Sequence, residues 1–237
     1  MGGRIAAVLL LGGLVLTACQ IAPDRSLDAA TLHFNEVGFR GAPGGHPLTG
    51  SAILTPTFAD HRVVKWTRPI RYRITGFNDD LHATAERFLI EIAKTARIKI
   101  SVAGDGVDDA NFIVRLEDVD VFEPSPMEYA LCYANVIQYK GHINRVSVHI
   151  ARAKPRQIEH CLVHEILHGF GLAHASRLPS AVNYAYQLIE PSSWDWLAVR
   201  ALYDARLIAN KSRTEMLPVA RQVLRELQST TARSSAR

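Results

Sequence analysis

Residues 164–174 read His164-Glu165-Ile166-Leu167-His168-Gly169-Phe170-Gly171-Leu172-Ala173-His174 and place three histidines and one glutamate at fixed spacing. His164 and His168 are four positions apart, so on a helix both imidazoles lie on one face and can reach one metal ion. Glu165 is rotated by about 100° from His164, because an α-helix has ~3.6 residues per turn. Its carboxylate would lie beside the metal, where it can take a proton from zinc-bound water.

The second half of this stretch supplies a turn and a third ligand. Gly171 can adopt the left-handed conformation that ends a helix. The turn would bring His174 back to the metal from outside the helix. Three nitrogen ligands leave a fourth tetrahedral position for water, as in catalytic zinc sites. The sequence therefore predicts one catalytic Zn²⁺ held by His164, His168 and His174, with Glu165 as general base.

The pattern His-Glu-x-x-His-x-x-Gly-x-x-His at positions 164–174 resembles the signature of the metzincin zinc peptidases. Residues 174–184 resemble the short link to the Met-turn in matrixin-like members, and residues 192–203 resemble their C-terminal helix. The chain is also similar to an uncharacterised family of bacterial secreted and lipoprotein zincin-like proteins. The resemblance covers about 63–207 and implies an α+β fold with a mixed twisted sheet, a backing helix, an active-site helix and a small C-terminal helical subdomain.

Two residues beyond the zinc motif take their expected roles from the resemblance. Val182 stands where metzincins have the Met-turn methionine, which packs beneath the metal, so Val182 would provide an apolar floor. Tyr184 corresponds to a tyrosine that in some metzincins approaches the metal or steadies the oxyanion, and packing under the sheet is its alternative role. The implied activity is peptide-bond hydrolysis in proteins or peptides, with an extended substrate paired to a strand edge at 132–139 or 145–151.

Apolar periodicity predicts the order of elements in the rest of the chain. Strands are predicted at 69–76, 98–103, 111–117, 131–139 and 144–151. Helices are predicted at 80–97, 155–169, 192–207 and 214–227. We expect a catalytic domain over 63–210, followed by a C-terminal helix and disordered tail over 211–237.

The N-terminus has the features of an export signal. Residues 1–4 are short and basic, and the apolar run 5–16 is too short for a membrane span of ~20 residues. The sequence Leu16-Thr17-Ala18-Cys19 resembles the lipobox of bacterial lipoproteins, which implies removal of residues 1–18 and lipidation of Cys19. An ordinary signal peptide with a coincidental cysteine is the alternative. Gln20 favours, by resemblance, an outer-membrane anchor facing the periplasm of the bacterial cell envelope.

The glycine- and proline-rich segment after Cys19 shows no sustained apolar periodicity, so residues 19–62 are expected to be a lipidated tether and irregular lead-in. Cys132 and Cys161 are the two other cysteines, and an even pair in an oxidising compartment is a disulfide candidate. Two buried thiols are the alternative.

The formal net charge is only +4 and is spread along the chain, which gives no indication of a nucleic-acid partner. The expected partners are a protein or peptide substrate and, through Cys19, the membrane. Two other functions fit the sequence: a zinc hydrolase acting on cell-wall peptides, and a non-catalytic zincin-fold lipoprotein that binds or scaffolds. The oligomeric state is not indicated.

Overall fold

The computed structural model describes residues 26–40, 61–104, 109–122 and 131–235, with side chains described up to residue 230. The expected signal segment 1–18 and the expected lipidation site Cys19 lie outside these residues. Among the described helices, none is long and apolar enough to cross a membrane.

A five-stranded mixed sheet forms the centre of the fold. Its strands are β1 (Ile70–Thr75), β2 (Ile100–Val102), β3 (Phe112–Leu116), β4 (Cys132–Tyr139) and β5 (His142–Ile150). They lie in the order β2-β1-β3-β5-β4, and β4 is the strand that runs antiparallel to its neighbour. Strand β5 is paired on both sides, so it offers no free edge. The expectation that residues 145–151 present an edge to a substrate is therefore wrong, and β4, like β2, is an edge strand among the strands that the structure describes.

Five helices accompany the sheet in the described part of the chain. They are α1 (Leu27–Val37), α2 (Asp79–Ala96), α3 (Pro155–Gly169), α4 (Ser193–Leu202) and α5 (Arg213–Ser235). Helix α2 packs against β1 and α3, and α3 packs against β4 and β5, so both cover one face of the sheet. Helices α1, α4 and α5 contact one another, and α4 also contacts α2. This is the predicted α+β fold.

Local sequence explains where these elements begin and which face they bury. In β1, alternate residues are buried, beginning with Ile70 and Tyr72, while Arg71 between them is exposed. The side chain of Asn78 accepts a hydrogen bond from the Leu81 N–H at 3.0 Å, which caps α2. Helix α4 ends earlier than predicted, because residues 204–211 turn back to pair with residues 62–63.

Helix α1 corrects the prediction of an irregular lead-in over residues 19–62. Ser26 caps it by accepting from the Ala29 N–H at 3.1 Å, and Phe34 and Val37 are fully buried. Sequence inspection missed this helix because the glycines and prolines that follow it dominate the composition of the segment. Helix α5, which continues to Ser235 and so beyond its predicted end, also contributes to the core. The packed unit therefore extends past the expected limits 63–210 on both sides.

Candidate metal centre

The structure brings the three predicted ligands together. His164 and His168 lie one turn apart on α3 and are buried, and His174 follows the turn at the end of that helix. The Nε2 atom of His168 lies 3.0 Å from Nε2 of His164 and 2.9 Å from Nε2 of His174. All three ligand atoms fall within 4.8 Å of one another, so one ion can contact them all.

Hydrogen bonds to carbonyl groups determine which ring nitrogen carries the proton. His164 Nδ1 donates to the carbonyl of Ala181 at 2.7 Å, and His168 Nδ1 donates to the carbonyl of Leu172 at 2.8 Å. A carbonyl only accepts, so each Nδ1 carries the hydrogen and each Nε2 keeps its lone pair. This tautomer is the one that a metal requires when Nε2 is the ligand atom.

Burial keeps these imidazoles uncharged. It lowers the pKa of His164 to about 3, with further lowering from His174 and His160. Burial and then the charge of Arg40 lower the pKa of His174 to about 4. The Nε2 lone pairs of His164 and His168 face one another at 3.0 Å and repel unless a cation lies between them. Zn–N bonds of ~2.0–2.1 Å would place tetrahedral ligand nitrogens roughly 3.3 Å apart, close to the observed spacing. The donor set therefore fits zinc.

Gly171 makes the turn that returns the chain to the site. Its φ is +100°, and a Cβ at this position would lie 2.1 Å from the carbonyl oxygen of Val64, so only glycine fits. The carbonyls at the end of α3 are satisfied by distant side chains, since Trp66 Nε1 donates to Gly169 at 2.9 Å and the Tyr203 hydroxyl donates to Phe170 at 2.9 Å. The predicted turn at Gly171 is confirmed.

Glu165 lies on the buried side of α3 and is 5% exposed. Burial raises the pKa of its carboxyl group to about 8, and the charge of Arg40 and a hydrogen bond from the Ala134 N–H oppose that rise. Because Ala134 belongs to β4, the carboxyl group lies against the open edge of the sheet. A carboxyl group with a pKa near neutrality can both accept and release a proton at working pH.

The loop around Val182 is hydrogen-bonded to His164 and to the chain beside His174. Val182 is fully buried, and its carbonyl accepts from the N–H of Ala175, the residue after His174, at 3.1 Å. The neighbouring Ala181 N–H donates to the carboxylate of Asp195 at 2.9 Å. The sequence analysis missed this contact, because Ala181 and Asp195 are 14 residues apart in the chain.

Tyr184 lies against the imidazoles on their exposed side. Its ring centroid is 4.3 Å from that of His174 and 5.2 Å from that of His164, and the residue is 53% exposed. Burial of the hydroxyl, and then the nearby Glu165, raise the pKa of Tyr184 to about 12. The hydroxyl therefore stays protonated at neutral pH and can donate a hydrogen bond. The alternative of a ring packed under the sheet does not match this position.

Cys132 and Cys161 form a disulfide bond, with their Cα atoms 5.9 Å apart. The bond joins the first residue of β4 to α3, one turn before His164. It therefore fixes the open edge strand against the helix that carries the candidate metal ligands.

Two residues of the N-terminal segment also reach the site, and sequence inspection missed both. The Arg40 guanidinium donates to the carbonyl of His168 at 2.8 Å, and Glu36 accepts from the Ser176 N–H at 2.9 Å. No local pattern marks them, because their partners lie more than a hundred residues away. His160, one turn before His164 on α3, donates from Nδ1 to the carbonyl of Leu188 at 2.8 Å.

Comparison with known protein families identifies the family of this chain. No curated protein matches the chain. A family model described as "Protein of unknown function (DUF2927)" matches residues 50–222, which include the three histidines, Glu165 and the whole sheet. Because this match covers well over half of the chain, the protein belongs to the DUF2927 family.

Proposed function

We propose that the protein is a zinc-dependent peptidase that hydrolyses peptide bonds of proteins or peptides in the bacterial cell envelope. The observation that carries this proposal is the convergence of three uncharged imidazole Nε2 atoms beside the buried carboxyl group of Glu165. Structural zinc sites are closed by four protein ligands, whereas three leave a position for water or substrate. A structural site also has no need of a buried carboxyl group beside its ligands.

Each residue of the site has its own role in the proposed reaction. Zn²⁺ at such a centre supplies a Lewis acid and lowers the pKa of water. Glu165 accepts a proton at a carboxylate oxygen and later delivers it to the leaving amine. His164 and His168 keep their Nε2 lone pairs available by donating from Nδ1 to fixed carbonyls. The protonated hydroxyl of Tyr184, whose ring centroid lies 4.3 Å from that of His174, would donate a hydrogen bond to a developing oxyanion.

The open edge of β4 supplies a binding surface for an extended peptide. The Ala151 N–H donates to the carbonyl of Leu131, so these two residues form a hydrogen-bonded pair. With the register, this pair determines which residues of β4 are hydrogen-bonded to β5. In an antiparallel pair, every second residue turns its backbone groups away from its partner strand. In β4 these residues are Cys132, Ala134 and Val136. The Ala134 N–H already donates to Glu165, so the remaining outward N–H and C=O groups would bind a substrate main chain with little sequence preference.

We further propose a metzincin-type architecture and an envelope location. The mixed sheet, the two helices on one face, the Gly171 turn and the buried Val182 loop support the architecture. The Cys132–Cys161 bond supports export, because disulfides persist in oxidising compartments. The lipobox-like sequence at Cys19 supports a lipid anchor, in the outer membrane facing the periplasm. Radiolabelled palmitate incorporated into wild type and not into Cys19→Ala would establish the anchor.

The test of function is zinc content and peptide hydrolysis measured on the same soluble protein beginning after Cys19. Wild type is compared with His168→Ala and Glu165→Gln. We expect one zinc per chain in wild type and in Glu165→Gln, and loss of zinc in His168→Ala. Hydrolysis should fall about 10²- to 10⁴-fold in Glu165→Gln, the usual contribution of a general base.

Other outcomes distinguish the remaining functions. Wild type that takes up no zinc, even after addition of the ion, would refute the metal centre. Bound zinc with cleavage of cell-wall peptides and not of proteins would assign the other hydrolase class. Bound zinc without cleavage of either substrate class would indicate a binding or scaffolding lipoprotein.

A further inference from the structure

A short segment at the end of α1 forms hydrogen bonds with the chain on both sides of His174. We call residues 36–40 the clamp segment. It begins in the last turn of α1 and ends at Arg40, which forms a bridge with Arg62. The inference below rests on the proposed zinc centre, because it concerns how two of its ligands are held.

The first set of contacts fixes the loop that carries His174. The Val37 carbonyl accepts from the N–H of Ala173, the residue before the ligand, at 2.7 Å. The carboxylate of Glu36 accepts from the Ser176 N–H at 2.9 Å and from the Ser176 hydroxyl at 2.8 Å. The clamp segment therefore binds the chain one residue before and two residues after His174.

The second set of contacts fixes the turn between His168 and His174. Arg40 Nη2 donates to the carbonyls of His168 and Leu172, at 2.8 Å each, and Arg40 Nε donates to Leu172 at 3.2 Å. The same Leu172 carbonyl accepts from His168 Nδ1 at 2.8 Å. Arg40 thus holds the group that orients the His168 ring. A cation here is also favourable because it lies at the C-terminal end of α3.

These contacts are needed because residues 172–175 belong to no helix or strand. A ligand on such a loop loses conformational freedom when it binds, unless the loop is already ordered. We propose that the clamp segment is a positioning device that orders His174 and His168 before the metal binds, and so raises the affinity of the chain for zinc. The whole clamp segment lies outside the residues matched by the family model, which begin at residue 50.

Zinc affinity measures this effect directly, by competition with a chromophoric chelator. The variants are Glu36→Ala, which removes the acceptor for Ser176, and Arg40→Lys, which keeps the charge but loses the forked donor. The matched control is Asp28→Ala, on the same helix, whose exposed carboxylate contacts Arg221 away from the loop. We expect about 10- to 100-fold weaker binding in both clamp variants, as for other groups that orient metal ligands, and no change in the control.

Hydrogen–deuterium exchange on metal-free protein provides a readout that is independent of zinc. Peptides covering residues 172–177 should exchange faster in Glu36→Ala than in wild type and Asp28→Ala, while peptides from β3 stay unchanged. Wild-type exchange and wild-type zinc affinity in Glu36→Ala would overturn the inference, even if Arg40→Lys proves unstable. Wild type that binds no zinc would refute the proposed function instead, and faster exchange in Glu36→Ala would then still show that the clamp segment orders the loop.

Discussion

His164 and Asp195 are connected through a single residue, Ala181. His164 Nδ1 donates to the Ala181 carbonyl at 2.7 Å, and the Ala181 N–H donates to the Asp195 carboxylate at 2.9 Å. Asp195 is fully buried, and its carboxylate also accepts from the hydroxyls of Ser180 and Ser192. The orientation of a candidate metal ligand on α3 therefore depends on a carboxylate at the start of α4.

Replacing Asp195 should weaken both the fold and the centre. Asp195→Ala leaves several buried donors without an acceptor, and each costs about 1–3 kcal/mol. We expect the free energy of unfolding in urea to fall by about 3 kcal/mol or more, and zinc affinity to fall with it. The matched control is Glu190→Ala, whose exposed ion pair with Arg87 should contribute at most about 1 kcal/mol. Equal stability of the two variants would contradict the role given to Asp195.

Gly171 should tolerate no side chain. Gly171→Ala would place a Cβ 2.1 Å from the Val64 carbonyl oxygen at a φ of +100°, so the turn must move. Backbone strain of about 1–3 kcal/mol adds to that clash, and displacement of His174 should abolish zinc binding. Gly104→Ala is the control, because its Cβ would meet its nearest atom at 3.5 Å. Thermal unfolding and zinc content check both variants, and normal zinc content in Gly171→Ala would contradict this account.

The contrast between Gly171 and Arg40 shows what the sequence alone can predict. Gly171, the histidine spacing and the Asn78 cap of α2 depend on residues a few positions apart, so their patterns are visible in one chain. Arg40, Glu36 and the Ala134 N–H act on partners that only the folded chain brings near. The open edge of β4 also depends on strand order, which periodicity does not reveal.

His33 should make stability depend on pH. It is 2% exposed, its ring nitrogens have no hydrogen-bond partner among the described residues, and burial lowers its pKa more than Asp195 and Glu36 raise it. An unfolded histidine has a pKa of about 6.5. Below that pH the unfolded chain binds the proton more readily, so stability is lost as pH falls from about 6.5 toward the lower pKa of the folded state.

The variant His33→Phe isolates this effect. Between pH 6.5 and pH 5, the free energy of unfolding in urea should fall less in this variant than in wild type. The difference should be up to about 1.4 kcal/mol per pH unit. The metal-ligand histidines contribute to both proteins, so the difference between the two curves reports His33. Parallel curves over this range would show that His33 is not buried in its neutral form.

The disulfide should contribute substantially to stability. Cys132 and Cys161 are 29 residues apart, and closing a loop of that length restricts the unfolded chain by about 3 to 4 kcal/mol. The double variant Cys132→Ala, Cys161→Ala should lose about this much in urea unfolding, and a reducing agent should destabilise wild type and leave the variant unaffected. If the agent destabilised both proteins equally, the bond would not be the cause.

Val136→Pro tests whether a peptide substrate adds to β4. The register turns the Val136 N–H toward the open edge, so proline removes a donor to the substrate and none to β5. We expect KM for peptides to rise, with zinc content and the unfolding midpoint close to wild type. Asn135→Pro is the opposite case: its N–H faces β5, so this variant should lose stability as well. If Val136→Pro left KM unchanged and remained folded, substrate would bind by some route other than this edge.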